Sequence, residues 1–275
     1  MAGVRGSVAL VVCEPLSRVF SEDPLFSLVS RSVSRELGDV DRHVVLMLAN
    51  GAGSAARIER YVAGGHVEGV MLVSMHDDDP LPGAIDRIGV PVVSYGRPAV
   101  SVPLAYADND NPAGARLAVN HLINRGRRRV ATIAGPQDMI AGQDRLAGYH
   151  RAVADAGHRP IVIYGDFSRR SGADAMTRLL REEPAVDAVF AANDLMAIGA
   201  LQALRQAGRR VPDDVAIAGY DDFEAAQFTN PPLTTVRHPV AEQVNAMTRL
   251  LVERMGGGPL ASIVLPAELV IRASS

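Results

Sequence analysis

The strongest constraint on this chain is the regular alternation of short apolar runs with helix-like segments along its length. Nine runs stand out: "SVALVV" (7–12), "VVLMLA" (44–49), "GVMLVS" (69–74), "VPVVSY" (90–95), "VPLAYA" (102–107), "VATIAG" (130–135), "IVIYG" (161–165), "AVFAA" (188–192) and "VAIAGY" (215–220). Most are continuous and rich in Val or Ile, the pattern of strands buried on both faces of a parallel sheet. Between them lie segments with helical spacing, such as "GARLAVNHLINRG" (114–126) and "DLMAIGALQALRQAG" (194–208). This order predicts a doubly wound α/β fold. The strands are too many for one ordinary open sheet, so two sheets are expected, with the break near "RGRRR" (125–129). In the helix before that break, Asp110 or Asn111 can cap and Pro112 suits the first turn. After an extended "PPLTTVRHP" (231–239), one further amphipathic helix runs over 240–258, and "ASIVLPAELVIRASS" closes as strand.

Composition narrows the class. At 275 residues the chain is long enough for two lobes, and 48% hydrophobic with 21% charged residues fits a globular protein rather than a disordered one. The net charge is −3 and all positive side chains are Arg, so this chain lacks the basic footprint of a nucleic-acid surface. The single cysteine, Cys13, excludes an internal disulfide and suits a reducing compartment. No apolar run reaches the length of a membrane span, and the N-terminus lacks a signal-peptide layout. A cytoplasmic protein is expected.

Four stretches carry possible chemistry. "NGAGSAARIERYV" (50–62) fits G-x-G-x-x-A through Gly51, Gly53 and Ala56, with Asp77 further on. It follows the second strand of its lobe, whereas a dinucleotide fingerprint usually follows the first, so a plain strand–helix turn is preferred. "RGRRR" follows a helix C-terminus, where cations complement the dipole, and reads as a solvated connection rather than an anion patch. In "GYDDF" (219–223), Asp221 and Asp222 could serve acid–base or metal chemistry. Successive residues of an extended segment diverge, however, and no His or Cys completes a metal set. One Asp facing a crevice and accepting from two hydroxyls of a sugar is the better reading. Finally, "AND" (192–194) lies past the carboxyl end of its strand, the edge where open α/β sheets bind ligands. Asp194 is expected to cap the next helix, which frees Asn193 for a ligand. With "GDFS" (165–168) and "DRLAGY" (144–149), these ends could line a polyol or nucleoside pocket.

Several of these motifs together resemble one family. "DRLAGYHRAV", "AVFAANDLMAIGALQALRQAGRRVPDDVAIAGYDDFEAA" and "PPLTTVRHPVAEQVNAMTRLL" look like the effector-binding region of LacI/GalR (lactose-repressor) transcription regulators. The resemblance runs from "SVALVV" to "LPAELVIR". It implies two similar doubly wound parallel-sheet subdomains of the periplasmic-binding-protein-like type I class, joined by three chain crossovers near Arg127, Arg237–Pro239 and Leu265. The expected subdomains are 5–127 with 239–263 and 128–238 with 264–275. A small polar effector, a sugar or derivative, would be held in a cleft between them. By the same resemblance Arg145, Asn193, Asp221 and Phe167 are expected to contact it, with Glu14 and Leu25-Phe26 from the first subdomain. The loop "CEPLSRVFSEDPLF" exceeds the family's usual length, and Ala141 stands where many members have a polar residue. Members begin with a helix-turn-helix module that reads operator DNA and act as homodimers. That module is not in this sequence, and truncation is the expected reason. No catalytic residue, metal or cofactor is expected. A transport-type sugar-binding protein is the alternative, and an enzyme using Asp221 and Asp222 a third class.

Overall fold

The computed structural model describes residues 6–51, 53–77, 79–99 and 103–275. The expected subdomain start at residue 5, Ala52 of the glycine turn and Val102 of the run at 102–107 lie outside the described residues. In chain order the elements are β1 (Ser7–Val12), α1 (Pro24–Asp39), β2 (His43–Leu48), α2 (Ser54–Ala63), β3 (Gly69–Val73), α3 (Leu81–Ile88), β4 (Val92–Tyr95), β5 (Ala105–Asn109), α4 (Asn111–Asn124), β6 (Val130–Ala134), α5 (Ile140–Asp155) and β7 (Val162–Tyr164). There follow α6 (Arg169–Glu182), β8 (Ala188–Ala191), α7 (Asp194–Gln206), β9 (Ala216–Asp221), α8 (Glu224–Gln227), β10 (Thr234–Arg237), α9 (Val240–Met255), β11 (Ser262–Leu265) and β12 (Glu268–Val270).

The strands form two six-stranded sheets, ordered β11-β5-β4-β3-β1-β2 and β12-β10-β9-β8-β6-β7. All neighbours in the first sheet are parallel. The second is parallel except for the antiparallel pair β10–β12. Two compact units result: Met1–Asn109 with Pro239–Leu265, and Asp110–His238 with Pro266–Ser275. The chain passes from one unit to the other three times.

In the first unit β1 and β3 are almost wholly buried, as their unbroken apolar sequence requires. β2 is equally apolar but lies at the sheet edge and stays half-exposed, with Leu46 at 41%. Helix α9 returns here, packing Val244, Met247 and Leu251 into the cluster of Leu10, Val33 and Met71. The final segment is two strands rather than one: β11 extends the first sheet beside β5, and β12 joins the second beside β10.

The expected break at 125–129 is displaced. Residues 110–127 belong with the second unit, because α4 packs Ala115, Ala118, Val119 and Leu122 against Tyr149, Ala152 and Tyr220. Asp110 caps that helix, accepting from the Ala113 N–H at 3.0 Å, so the chain crosses before the helix and not after it. Arg125, Arg128 and Arg129 are exposed, as a solvated connection requires, while the backbone of the segment is anchored. Arg127 Nη2 donates to the Pro212 carbonyl at 2.6 Å, the Arg128 and Arg129 amides donate to Asp187, and Arg129 pairs with Glu183.

Candidate functional site

In an open parallel sheet, ligands bind beyond the carboxyl ends of the strands where the strand order reverses. In the second unit that point falls between β6 and β8, with β9 next in the sheet. In the first it falls between β1 and β3. The backbone marks the same places. Five described residues other than glycine have left-handed φ: Asp41, Ser74, Phe167, Asp221 and Asp222. Asp41 sits in the turn before β2, whereas Ser74 follows β3, Phe167 follows β7, Asp221 ends β9 and Asp222 follows it. Strained backbone of this kind gathers at functional sites.

In the second unit Arg145 organises the edge. It stands in the second turn of α5 and is only 5% exposed. Its Nε donates to Asn111 Oδ1 at 2.9 Å, and its Nη1 to the Ala192 carbonyl at 2.6 Å and Asp221 Oδ1 at 3.4 Å. The guanidinium carbon lies 3.7 Å from the Tyr220 ring centroid and 5.7 Å from that of Phe167, within cation–π range. Among the described residues its Nη2 donates to no protein group, and Asp221 Oδ2 accepts from none. A charged donor and a charged acceptor therefore stand side by side, both held by their other atoms, which suits a ligand with adjacent hydroxyls. His238 Nδ1 lies 3.5 Å from Asp221 Oδ1 on the far side. Gly135 makes room for the Phe167 ring, since a Cβ there would sit 2.4 Å from it.

The cap expected of Asp194 falls to Asn193. Asn193, not Asp194, caps α7: its Oδ1 accepts from the Met196 N–H at 2.9 Å. Its Nδ2 donates to the Phe167 carbonyl at 2.9 Å, pinning the left-handed residue. One N–H and one lone pair of Asn193 are left for a ligand. Asp194 points the other way and is fully buried, accepting from Thr235 Oγ1 at 2.6 Å and from the Phe223 N–H at 2.9 Å. Burial, then the nearby Asp221 charge, pushes the Asp194 carboxyl well above the usual range. Asp222 diverges from Asp221 as expected, reaching Arg272 at 2.6 Å and Arg237 at 3.4 Å.

In the first unit Glu14 follows β1 and is 3% exposed. Its Oε1 accepts from Ser74 Oγ at 2.6 Å and lies 3.4 Å from Arg18 Nη1 and 3.5 Å from His76 Nε2. Burial opposes its charge, but His76, Arg18 and Ser74 together hold its carboxyl below the usual range. The loop that carries Arg18 forms a π-helical turn over Arg18–Glu22, and Asp23 then caps α1 through the Leu25 N–H at 3.0 Å. Phe26 does not join this edge. It is 2% exposed within the apolar cluster of Val12, Val29 and Val33, because its position on α1 faces the sheet; Leu25 is partly buried against the same cluster. The Gly51–Gly53 turn follows β2, the edge strand, away from the strand-order reversal where a dinucleotide site belongs.

Sequence reasoning missed Asn111, Tyr220, Ser74, His76 and Arg18. Applying the strand-end rule to β3 as it was applied to β8 and β9 points to Ser74 and His76. Nothing local marks Asn111, which reads only as a possible cap.

Comparison with known proteins agrees with this geometry. Residues 119–275 match the family model described as a periplasmic binding protein-like domain. The chain is 45% identical to the HTH-type transcriptional regulator CelR of Thermobifida fusca over 276 residues, 98% of this chain and 81% of that protein. A solved transcriptional regulator CelR–cellobiose complex superposes with TM-score 0.94 at 44% identity, over 99% of this chain and 86% of that one. A LacI-family regulatory protein from Chloroflexus aggregans superposes with TM-score 0.87 at 33% identity, covering 98% of each chain. Two doubly wound units, their polar strand ends and these relatives lead to one conclusion: the chain belongs to the LacI family of transcription regulators and carries its effector-binding region.

Proposed function

We propose that this chain senses a β-linked glucose disaccharide, with cellobiose as the reference effector, and that effector binding controls operator DNA binding by a homodimer. The adjacent Arg145 Nη2 and Asp221 Oδ2, both without a protein partner among the described residues, carry the effector reading. They offer one charged donor and one charged acceptor to neighbouring hydroxyls, in a surround that contains the Phe167 and Tyr220 rings. The cellobiose complex of the similar regulator supports the choice of sugar. The assigned contacts are Arg145, Asn193, Asp221 and Phe167 in the second unit and, as a separate set, Glu14 in the first. A ligand with higher affinity for one conformational state shifts the population toward it, and that shift is the signal. The protein works in the cytoplasm, as operator binding requires. No helix among the described residues is long and apolar enough to cross a membrane.

The chain is read as a binder and not a catalyst, since Asp221 and Asp222 face different partners and cannot share a reacting group. A thermal-shift panel of cellobiose, maltose, glucose, ribose and inosine tests the reading. Cellobiose is expected to raise Tm with no product formed, a stabilisation of about 2.7 kcal/mol at a hundredfold excess over Kd. Absence of any shift with cellobiose would sink the choice of effector, and turnover of any sugar would sink the assignment as a binder.

A further inference from the structure

The loop that presents Asp221 contains a second acid that the effector reading leaves unused. Asp221 and Asp222 have φ of 115° and 57°, two successive left-handed residues without a glycine. Such a turn persists only where its surroundings over-determine it. Of the residues on either side, Asp221 meets Arg145 through its side chain and accepts from the His238 N–H through its carbonyl, and the Phe223 N–H donates to Asp194. Asp222 is gripped by two arginines. Its Oδ1 accepts from Arg272 Nη2 at 2.6 Å, and its Oδ2 lies 3.4 Å from Arg237 Nε. Its side chain is 10% exposed and that of Arg272 16%, so this pair is shielded from water and from salt.

Each arginine is itself fixed. Arg272 donates Nη1 to the Leu233 carbonyl at 2.9 Å, and Arg237 donates Nη1 to Glu268 at 2.6 Å. Arg237 is also the register partner of Asp221 in the β9–β10 ladder and of Glu268 in the β10–β12 ladder. The two ion pairs thus tie the Asp221 turn to the strand by which the chain leaves the unit and to the segment by which it returns.

We infer that Asp222 is a positioning residue for effector recognition: its ion pairs with Arg272 and Arg237 lock the left-handed turn that aims Asp221 at Arg145 and at the ligand. The inference rests on the effector role proposed for Asp221. A structural anchor and a positioning residue respond differently to Asp222→Gly. Glycine adopts φ near +57° without strain, so this variant removes the ion pairs while keeping the backbone comfortable.

The test uses the whole chain with Asp222→Gly, Asp222→Asn and, should the first fail to fold, Arg272→Gln. Amide exchange of the unliganded protein is followed by NMR. Exchange at Phe223 and His238 is expected to quicken about tenfold or more in Asp222→Gly, with Ile133 and Val189 in the sheet interior unchanged. Cellobiose Kd, by calorimetry, is expected to rise about tenfold at near-constant Tm, with Asp222→Asn between the two. Exchange at both amides within twofold of wild type overturns the inference, as does unaltered Kd despite faster exchange. If wild-type protein binds no cellobiose, the choice of effector fails by itself, and the exchange measurement still decides whether Asp222 holds the turn.

Discussion

Glu14 in the first unit and Asp221 in the second occupy comparable places, each at the carboxyl end of a buried strand, yet they are supported in different ways. Glu14 stands in a loop with a π-helical turn, and its partners Ser74, Arg18 and His76 come from two segments close to solvent. Asp221 belongs to a web to which α4, α5, β9 and the residues just after β8 and β10 each contribute a group. Behind that web lies Asp194, fully buried, which clamps Phe223 and Thr235. The first edge is held mainly by charge around one carboxylate. The second is held by desolvated hydrogen bonds among many groups, with aromatic faces packed on the cation. A charge cluster can adjust its side chains, whereas a desolvated web keeps its geometry or fails as a whole.

The largest expected effect comes from breaking the second edge at its ligand-facing end. Asp221→Ala should abolish the cellobiose-induced thermal shift, a loss of about a hundredfold or more in affinity for a charged acceptor, while circular dichroism reports a folded chain. Arg145 keeps its hydrogen bonds to Asn111 and the Ala192 carbonyl in that variant. Unchanged binding would remove Asp221 from the site.

Next is the clamp behind it. Asp194→Ala strands the Phe223 N–H and the Thr235 hydroxyl in the interior and should cost about 1–3 kcal/mol for each group left unpaired, read by denaturant unfolding. Asp194→Asn should cost far less, since an amide can accept from Phe223 while donating to Thr235. Equal losses in the two variants would show that packing, and not hydrogen bonding, holds the clamp.

The smallest effects are in pH, and there the two edges should differ in sign. The Glu14 carboxyl is held low in the folded chain, so its stabilisation is present above about pH 4.3, the unfolded value, and is lost as pH falls through the folded value. The Asp194 carboxyl is held high, so it contributes nothing below about pH 3.9 and destabilises increasingly as pH rises from there toward its folded value. Glu14→Gln should flatten the acid limb of the stability profile, and Asp194→Asn the decline on the other side. Profiles unaltered by both substitutions would erase the contrast between the edges.

Much of the second edge was legible because its motifs are local. "AND", "GYDD" and "DRLAGY" each place polar groups at a strand end or on the helix that follows, and strand order alone fixes where such ends gather. That Asn193 and not Asp194 caps α7 was not legible. Adjacent residues at a helix start differ by about 100° in direction, and what drew Asp194 inward is Thr235, 41 residues away. Phe26 misled because it shares the apolar face of α1 with Val29, Val33 and Leu37, and that face packs into the core.

By itself the sequence determined the α/β class, the two sheets, the edge of each that bears chemistry and the family, because apolar periodicity and strand-end motifs are properties of neighbouring residues. Only the tertiary structure decided that α4 belongs with the second unit, and that Asp194 clamps while Asn193 caps. Those outcomes depend on which distant groups satisfy a buried donor or acceptor, and a chain pays that desolvation cost only once it is folded.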